Sequence, residues 1–179
     1  LQTVFKPLLN AFKQEGLAYK GIVYAGLMIN KAGDASIVEF NVRFGDPETQ
    51  IVLPRLSTNL LALFNAVADE TLSDFTLEWT NESSVCVVLA SSGYPGAYEK
   101  GKEITGIEDV KKANPKSHVV HAGTKLENGK VLSNGGRVLA VVASADNLKD
   151  AIDSVYSSVE KVQFENKTFR TDIAQKGLI

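Results

Sequence analysis

Glu39-Phe-Asn-Val-Arg-Phe-Gly-Asp-Pro-Glu48 is the stretch on which the reading of this chain turns. Read as a strand, it sends Glu39, Asn41 and Arg43 to one face, because side chains alternate with a period of two. A carboxylate beside a carboxamide offers hard oxygens, the donors that Mg²⁺ takes. That ion needs only one or two protein ligands and leaves its other positions to water and phosphates. An arginine on the same face suits a phosphoryl or carboxylate group held bidentately. Gly45-Asp46-Pro47 then turns the chain and presents Asp46 and Glu48 beside that face. The same line also fits an ordinary solvated strand surface, and spacing alone does not separate the two. The flanking Ile37, Val38, Phe40 and Val42 predict a strand covered on one face only.

Working outward, Ser36–Asn41 pairs with a strand over residues 21–29, joined through Lys31–Asp34 as an antiparallel hairpin. Gly21 and Gly26 weaken that first strand but allow close backbone approach. Upstream, Pro7 to Gln14 predicts a short helix with Pro in its first turn and Gly16 as its stop. Downstream, Thr49–Leu53 reads as a helical turn. A helix follows, capped by Ser57 or Thr58, with Leu60, Leu61, Phe64, Val67 and Ala68 on one stripe. Polar residues from Asp69 to Glu82 mark a break. We expect one piece over residues 1–75 and a second over 76–179.

The second piece is strand-rich. Strands are expected over 84–90, 117–121, 129–133 and 137–143, with Asn128-Gly129 as a type I′ turn. Leu148, Ile152, Val155, Tyr156, Val159 and Val162 form the best helical stripe, with Asp146 placed to cap. The fold class is therefore α+β: antiparallel strands with packed helices, then a small β-rich domain carrying one long helix. Ser91–Gly96 can receive an anion on its backbone amides or simply close a turn. His118 and His121, three apart on a strand, face opposite sides and form no metal pair. Cys86 reads as a small buried thiol, and Lys111-Lys112 as a solvated pair.

Composition narrows the function classes. The 179 residues are 44% hydrophobic and 22% charged, which is a globular balance. Nineteen Lys and Arg against 21 Asp and Glu argue against broad nucleic-acid binding. One cysteine excludes an intrachain disulfide framework and a cysteine-based zinc site. No apolar run approaches the ~18 residues of a membrane span. Leu1–Leu9 shows no basic-then-apolar leader, and we expect a cytoplasmic chain cut from something longer.

Tyr24–Ile29, the run from Glu39 to Gln50, Val87–Gly96, His121–Thr124 and Ser133–Arg137 together resemble the glycinamide ribonucleotide synthetase family, the phosphoribosylamine–glycine ligases. The resemblance covers essentially the whole chain. It implies the end of an ATP-grasp domain over 1–75 and the family's C-terminal domain over 76–179. It implies ATP-dependent joining of glycine to 5-phosphoribosylamine through a glycyl phosphate, in de novo purine synthesis. By resemblance, Glu39 and Asn41 match ligands of Mg²⁺ or Mn²⁺, with Asn41 also toward the nucleotide. Arg43 matches a position that stabilises phosphoryl charge, and Asp46 and Glu48 are candidates for orienting an amine. Candidate substrate contacts are Gly93, Tyr94, Pro95, His121, Thr124, Asn134, Gly135 and Arg137, the last with the neighbouring glycines on a phosphate; the same residues also fit a hairpin turn with a surface charge at Arg137, and His121 a structural histidine. The partners implied are ATP, glycine and 5-phosphoribosylamine, with neither nucleic acid nor membrane, and a monomer is expected. No Gly-x-x-x-x-Gly-Lys phosphate loop is present, so these 179 residues alone are expected not to turn over. Two other readings stand beside this one: an ATP-grasp ligase with another carboxylate and amine, and a non-catalytic binding module.

Overall fold

The computed structural model describes residues 2–178. In chain order its elements are α1 (Gln2–Gln14), β1 (Tyr24–Ile29), β2 (Ala35–Asn41), α2 (Thr49–Val52), α3 (Leu60–Ala68), β3 (Ser83–Ser91), α4 (Ile107–Ala113), β4 (Ser117–His121), β5 (Thr124–Glu127), β6 (Lys130–Ser133), β7 (Arg137–Ala145), α5 (Leu148–Val159) and β8 (Lys167–Thr168). The chain forms two compact units. The first runs to Asp46 and resumes over Thr58–Glu78; the second takes Pro47–Ser57 and continues from Trp79.

In the first unit α1 begins at Gln2, not at Pro7, so the proline lies inside the helix. It removes one backbone bond at a cost of about 3 kcal/mol. The helix persists because Val4, Leu8 and Phe12, at four-residue intervals, form its least exposed face, with Val4 buried. Gly16 ends it at φ +65°, and the Leu17 amide reaches back to the Phe12 carbonyl at 2.8 Å. The β1–β2 hairpin turns through Asn30, whose side-chain oxygen accepts from the Ala32 and Asp34 amides at 2.9 Å each. The cap of α3 is Asn59, accepting from the Ala62 amide at 2.9 Å, and neither Ser57 nor Thr58. Thr58 instead accepts the Glu78 amide at 2.7 Å through its hydroxyl.

The expectation that the second hairpin strand is covered on one face is not met. Ile37, Val38, Phe40 and Val42 are all exposed, as are Met28 and Ile29 opposite. Among the described residues the buried apolar side chains of this unit are Val4 and Ala66.

The second unit is built on an antiparallel four-stranded sheet in the order β4-β7-β3-β8. Helix α5 packs across β7 and β3, burying Ala151, Ile152, Val155 and Val159 against Val85, Val87, Leu89, Leu139 and Val141. Each fully buried aliphatic side chain contributes about 1.5–3 kcal/mol, so the core of the described chain lies here. The α5 cap is Asn147, accepting from the Asp150 amide at 2.9 Å, while Asp146 pairs with Lys116 at 3.3 Å. The helix stops at Val159, short of Val162. The backbone tightens to three-residue bonds there, and Lys167 Nζ takes the Val159 and Val162 carbonyls at 3.2 and 2.7 Å. Helix α4 has no counterpart in the sequence reading; Lys111 and Lys112 form its last turn. Gly106 precedes it at φ +77°, where a Cβ would sit 1.9 Å from the Lys161 carbonyl oxygen.

His118 is partly buried on β4, and burial, reinforced by Lys111, holds its pKa below the usual imidazole range. The unfolded chain therefore takes up the proton first. Its contribution to stability is intact above the unfolded pKa of about 6.5 and is lost as pH falls below it. The carboxylates held low by ion pairs, Glu70, Glu99 and Asp172, act only further down, below about pH 4.5. We expect unfolding free energy to decline from pH 7 to pH 5, and His118→Gln to flatten that slope in chemical denaturation. An unchanged slope in the variant would assign the dependence elsewhere.

Candidate functional site

Alternation along β2 places Glu39 and Asn41 side by side, and the Asn41 amide donates to Glu39 Oε1 at 3.0 Å. The ladder is irregular just before them. Gly26 pairs with Glu39 and Leu27 with Ile37, so Val38 is an extra bulged residue. Past the bulge the regular period resumes, which is what keeps 39 and 41 on one face. Gly26 makes room for the carboxylate, since a Cβ there would lie 3.1 Å from Glu39 Cγ. The strand ends at Asn41, so Arg43 is not on the same strand face as expected from spacing. It lies in a bend, and its Nη1 donates to the Phe44 carbonyl at 3.0 Å. Gly45 is buried and Asp46 exposed at the end of the first unit. Glu48 belongs to the second unit, where its carbonyl accepts from Ile51 and Val52 as α2 begins and its side chain makes no cap.

The donor set fits a hard divalent cation. One charge and one neutral amide oxygen, on the exposed Glu39 and the adjacent, half-buried Asn41, match an ion that keeps most of its shell as water and phosphate. Among the described residues no group of three His, Cys, Asp or Glu side chains could hold a metal.

In the second unit three loops meet at one end of the sheet. The Ser91 amide donates to the Gly136 carbonyl at 2.8 Å and the Ser91 hydroxyl to the Gly135 carbonyl at 3.0 Å. The Tyr94 ring lies over Gly136, where a Cβ would come within 2.0 Å of it, and the Tyr94-Pro95 bond is cis. Gly93, at φ +94°, sits against the Ala97 carbonyl. The Asn134 amide donates to the Gly123 carbonyl at 2.7 Å, and the Gly123 amide to the Arg137 carbonyl at 3.0 Å. The structure thus gathers Gly93, Tyr94, Pro95, Asn134, Gly135 and Arg137. His121 and Thr124 flank Gly123 and bond to each other at 3.0 Å, Nδ1 to Oγ1. His121 also lines a cavity of about 310 Å³ with Glu103, Glu108, Asp109 and Lys130. Gly123 escaped the sequence reading, although its place between His121 and Thr124 and the glycines at 135 and 136 were the signal. Packing accounts for the glycines: a Cβ on Gly123 would lie 2.6 Å from Gly135 Cα.

Residues 84–176 match the model of the phosphoribosylglycinamide synthetase C domain, and residues 1–49 the model of its ATP-grasp (A) domain. A phosphoribosylamine–glycine ligase of Caldanaerobacter subterraneus is 47% identical over 173 residues, 97% of this chain and 40% of its own length. The crystal structure of phosphoribosylamine–glycine ligase from Thermotoga maritima superposes with a TM-score of 0.77 at 38% identity, covering 96% of this chain and 41% of that one. A biotin carboxylase domain from Hydrogenobacter thermophilus, 13% identical with a TM-score of 0.57 and 90% of this chain covered against 35% of its own, shares the fold. The chain spans about two-fifths of the length of the curated relatives it matches.

Proposed function

This chain belongs to the phosphoribosylglycinamide synthetase family, and from that premise we propose that, in a protein of its relatives' length, it serves an ATP-dependent ligase joining glycine to 5-phosphoribosylamine. Residues 1–75 contribute the end of the ATP-grasp domain and 76–179 the C-terminal domain. The observation that carries the reading is the Glu39–Asn41 pair, preorganised on one strand face by its own hydrogen bond.

A glycine carboxylate oxygen attacks the γ-phosphorus of ATP, ADP leaves, and a glycyl phosphate forms. The amine of phosphoribosylamine then attacks the acyl carbon and loses a proton, and phosphate departs, leaving the new amide. Glu39 and Asn41 would hold Mg²⁺ or Mn²⁺, which supplies charge neutralisation at the phosphates when bound. Arg43 stabilises the extra negative charge of the phosphoryl in flight and of the acyl phosphate. Asp46 and Glu48 each accept a hydrogen bond from a substrate ammonium or amine. The loops that carry Tyr94, His121 and Asn134 border the ribosyl substrate, with the Arg137 guanidinium toward its phosphate. We further propose a cytoplasmic monomer; no helix among the described residues is long and apolar enough to cross a membrane.

The test is ADP release by the full-length protein with glycine and phosphoribosylamine added singly and together. We expect sustained release only when both are present. Release supported by a different carboxylate or amine would retain an ATP-grasp ligase and replace the substrates. Absence of release from a folded, ATP-binding protein would favour a binding module.

A further inference from the structure

We propose that Tyr19 is a positioning residue for the segment that carries Asn41 and Arg43, an inference that rests on the ligase reading above. The β1–β2 ladder ends at the pair Tyr24–Asn41. Beyond that pair the two strands are tied by a side chain. Tyr19 Oη donates to the Ile22 carbonyl at 2.8 Å and lies 3.3 Å from the Val42 carbonyl, so its single hydrogen is shared between the chain entering β1 and the chain leaving β2. The ring is itself seated: it meets Phe12 of α1 edge-on, with centroids 6.0 Å apart at 75°. Gly21, at φ +146°, lies directly beneath, where a Cβ would come within 2.7 Å of the Tyr19 oxygen.

The Val42 carbonyl matters because of what shares its peptide plane. That plane also holds the Arg43 nitrogen and fixes the direction in which the Arg43 Cα leaves the strand. Strand pairing no longer constrains the chain there, because β2 has ended. The bond from Tyr19 therefore sets a torsion that the ladder leaves open, and it sits between a proposed metal ligand and the arginine proposed to stabilise phosphoryl charge. Catalysis is steep in such placements: misplacing a reacting group by about 1 Å can cost 10²-fold.

The decisive variant is Tyr19→Phe in the full-length protein, since it keeps the ring on Phe12 and removes only the hydroxyl. We expect kcat to fall about tenfold while the KM values for ATP and glycine stay within about twofold. Amide exchange across residues 42–46 should rise several-fold, with the β1–β2 ladder unchanged. Wild-type kcat together with wild-type exchange at 42–46 would overturn the proposal and leave Tyr19 as ring packing alone. A loss of kcat without the exchange change would overturn it too, because the effect would not run through this segment. Were the wild-type protein to show no ligase activity, the functional reading would fail, while exchange at 42–46 in the phenylalanine variant would still decide whether Tyr19 orders the segment.

Discussion

Under the proposed ligase function, Glu39→Gln in a protein of the relatives' full length is expected to lower kcat by about 10³-fold with little change in thermal stability. The substitution keeps the volume and the hydrogen-bond partner of Asn41 but removes the only formal charge in the pair. Two neutral amides then face a divalent cation that binds through charge and hard oxygens. Stability should hold because Glu39 is exposed and its Cγ rests in the space that Gly26 leaves open. ADP release measured across a Mg²⁺ titration checks this. A variant whose rate is restored at high Mg²⁺ would show a ligand whose loss weakens the site without destroying it. A variant with the wild-type rate at every concentration would remove Glu39 from the metal site. Asn41→Asp is the informative companion, since it adds the charge back two residues away on the same face.

Why that pair could be found in the sequence, and other features could not, follows from the range of the forces involved. Glu39 and Asn41 lie on one strand beyond the bulge, so a period of two was enough to place them. The bulge at Val38 has no mark in the residue pattern, because Ile37 and Val38 are equally good strand formers. Arg43 was carried onto the same face by extending the period, but the strand stops at Asn41, and what happens next depends on Tyr19, 23 residues away. Helix α4 is one short run between Gly106 and Asn114. Its burial through Val110 comes from tertiary contact and not from a repeating stripe. The long helix was legible in its face and overrun at its end, since Val162 is fully buried just as a helical residue would be. The family resemblance located residues that packing alone explains equally well. Gly135 and Gly136 are demanded by Gly123 and by the Tyr94 ring whether or not a substrate rests on them.

Hydrogen exchange on the 179-residue chain is expected to show two regimes, with amides of β1 and β2 exchanging at least about 10³-fold faster than those of β3 and β7. The reason is the unequal distribution of buried apolar surface. In the second unit Val87, Leu89, Leu139, Val141, Val155 and Val159 are completely buried between sheet and helix. In the first, the hairpin leaves Met28 67%, Val38 65% and Val42 67% exposed, and Leu61 of α3 69%. A two-stranded hairpin with this little cover, only residues 24–27 and Asn41 being half-buried, is marginal in water, so its amides open locally at little cost. Those of β3 and β7 wait for unfolding of the sheet that contains them. A gap of about 4 kcal/mol, the burial of two or so aliphatic side chains, is enough for the expected ratio. Equal protection in both regions would mean that the first unit is held by something other than its own buried side chains. In a protein of the relatives' full length, protection over residues 24–41 should rise toward that of β3. The exposed valines and methionine are surface that a longer protein has reason to cover, and the metal site proposed on Glu39 and Asn41 would need a strand that stays closed.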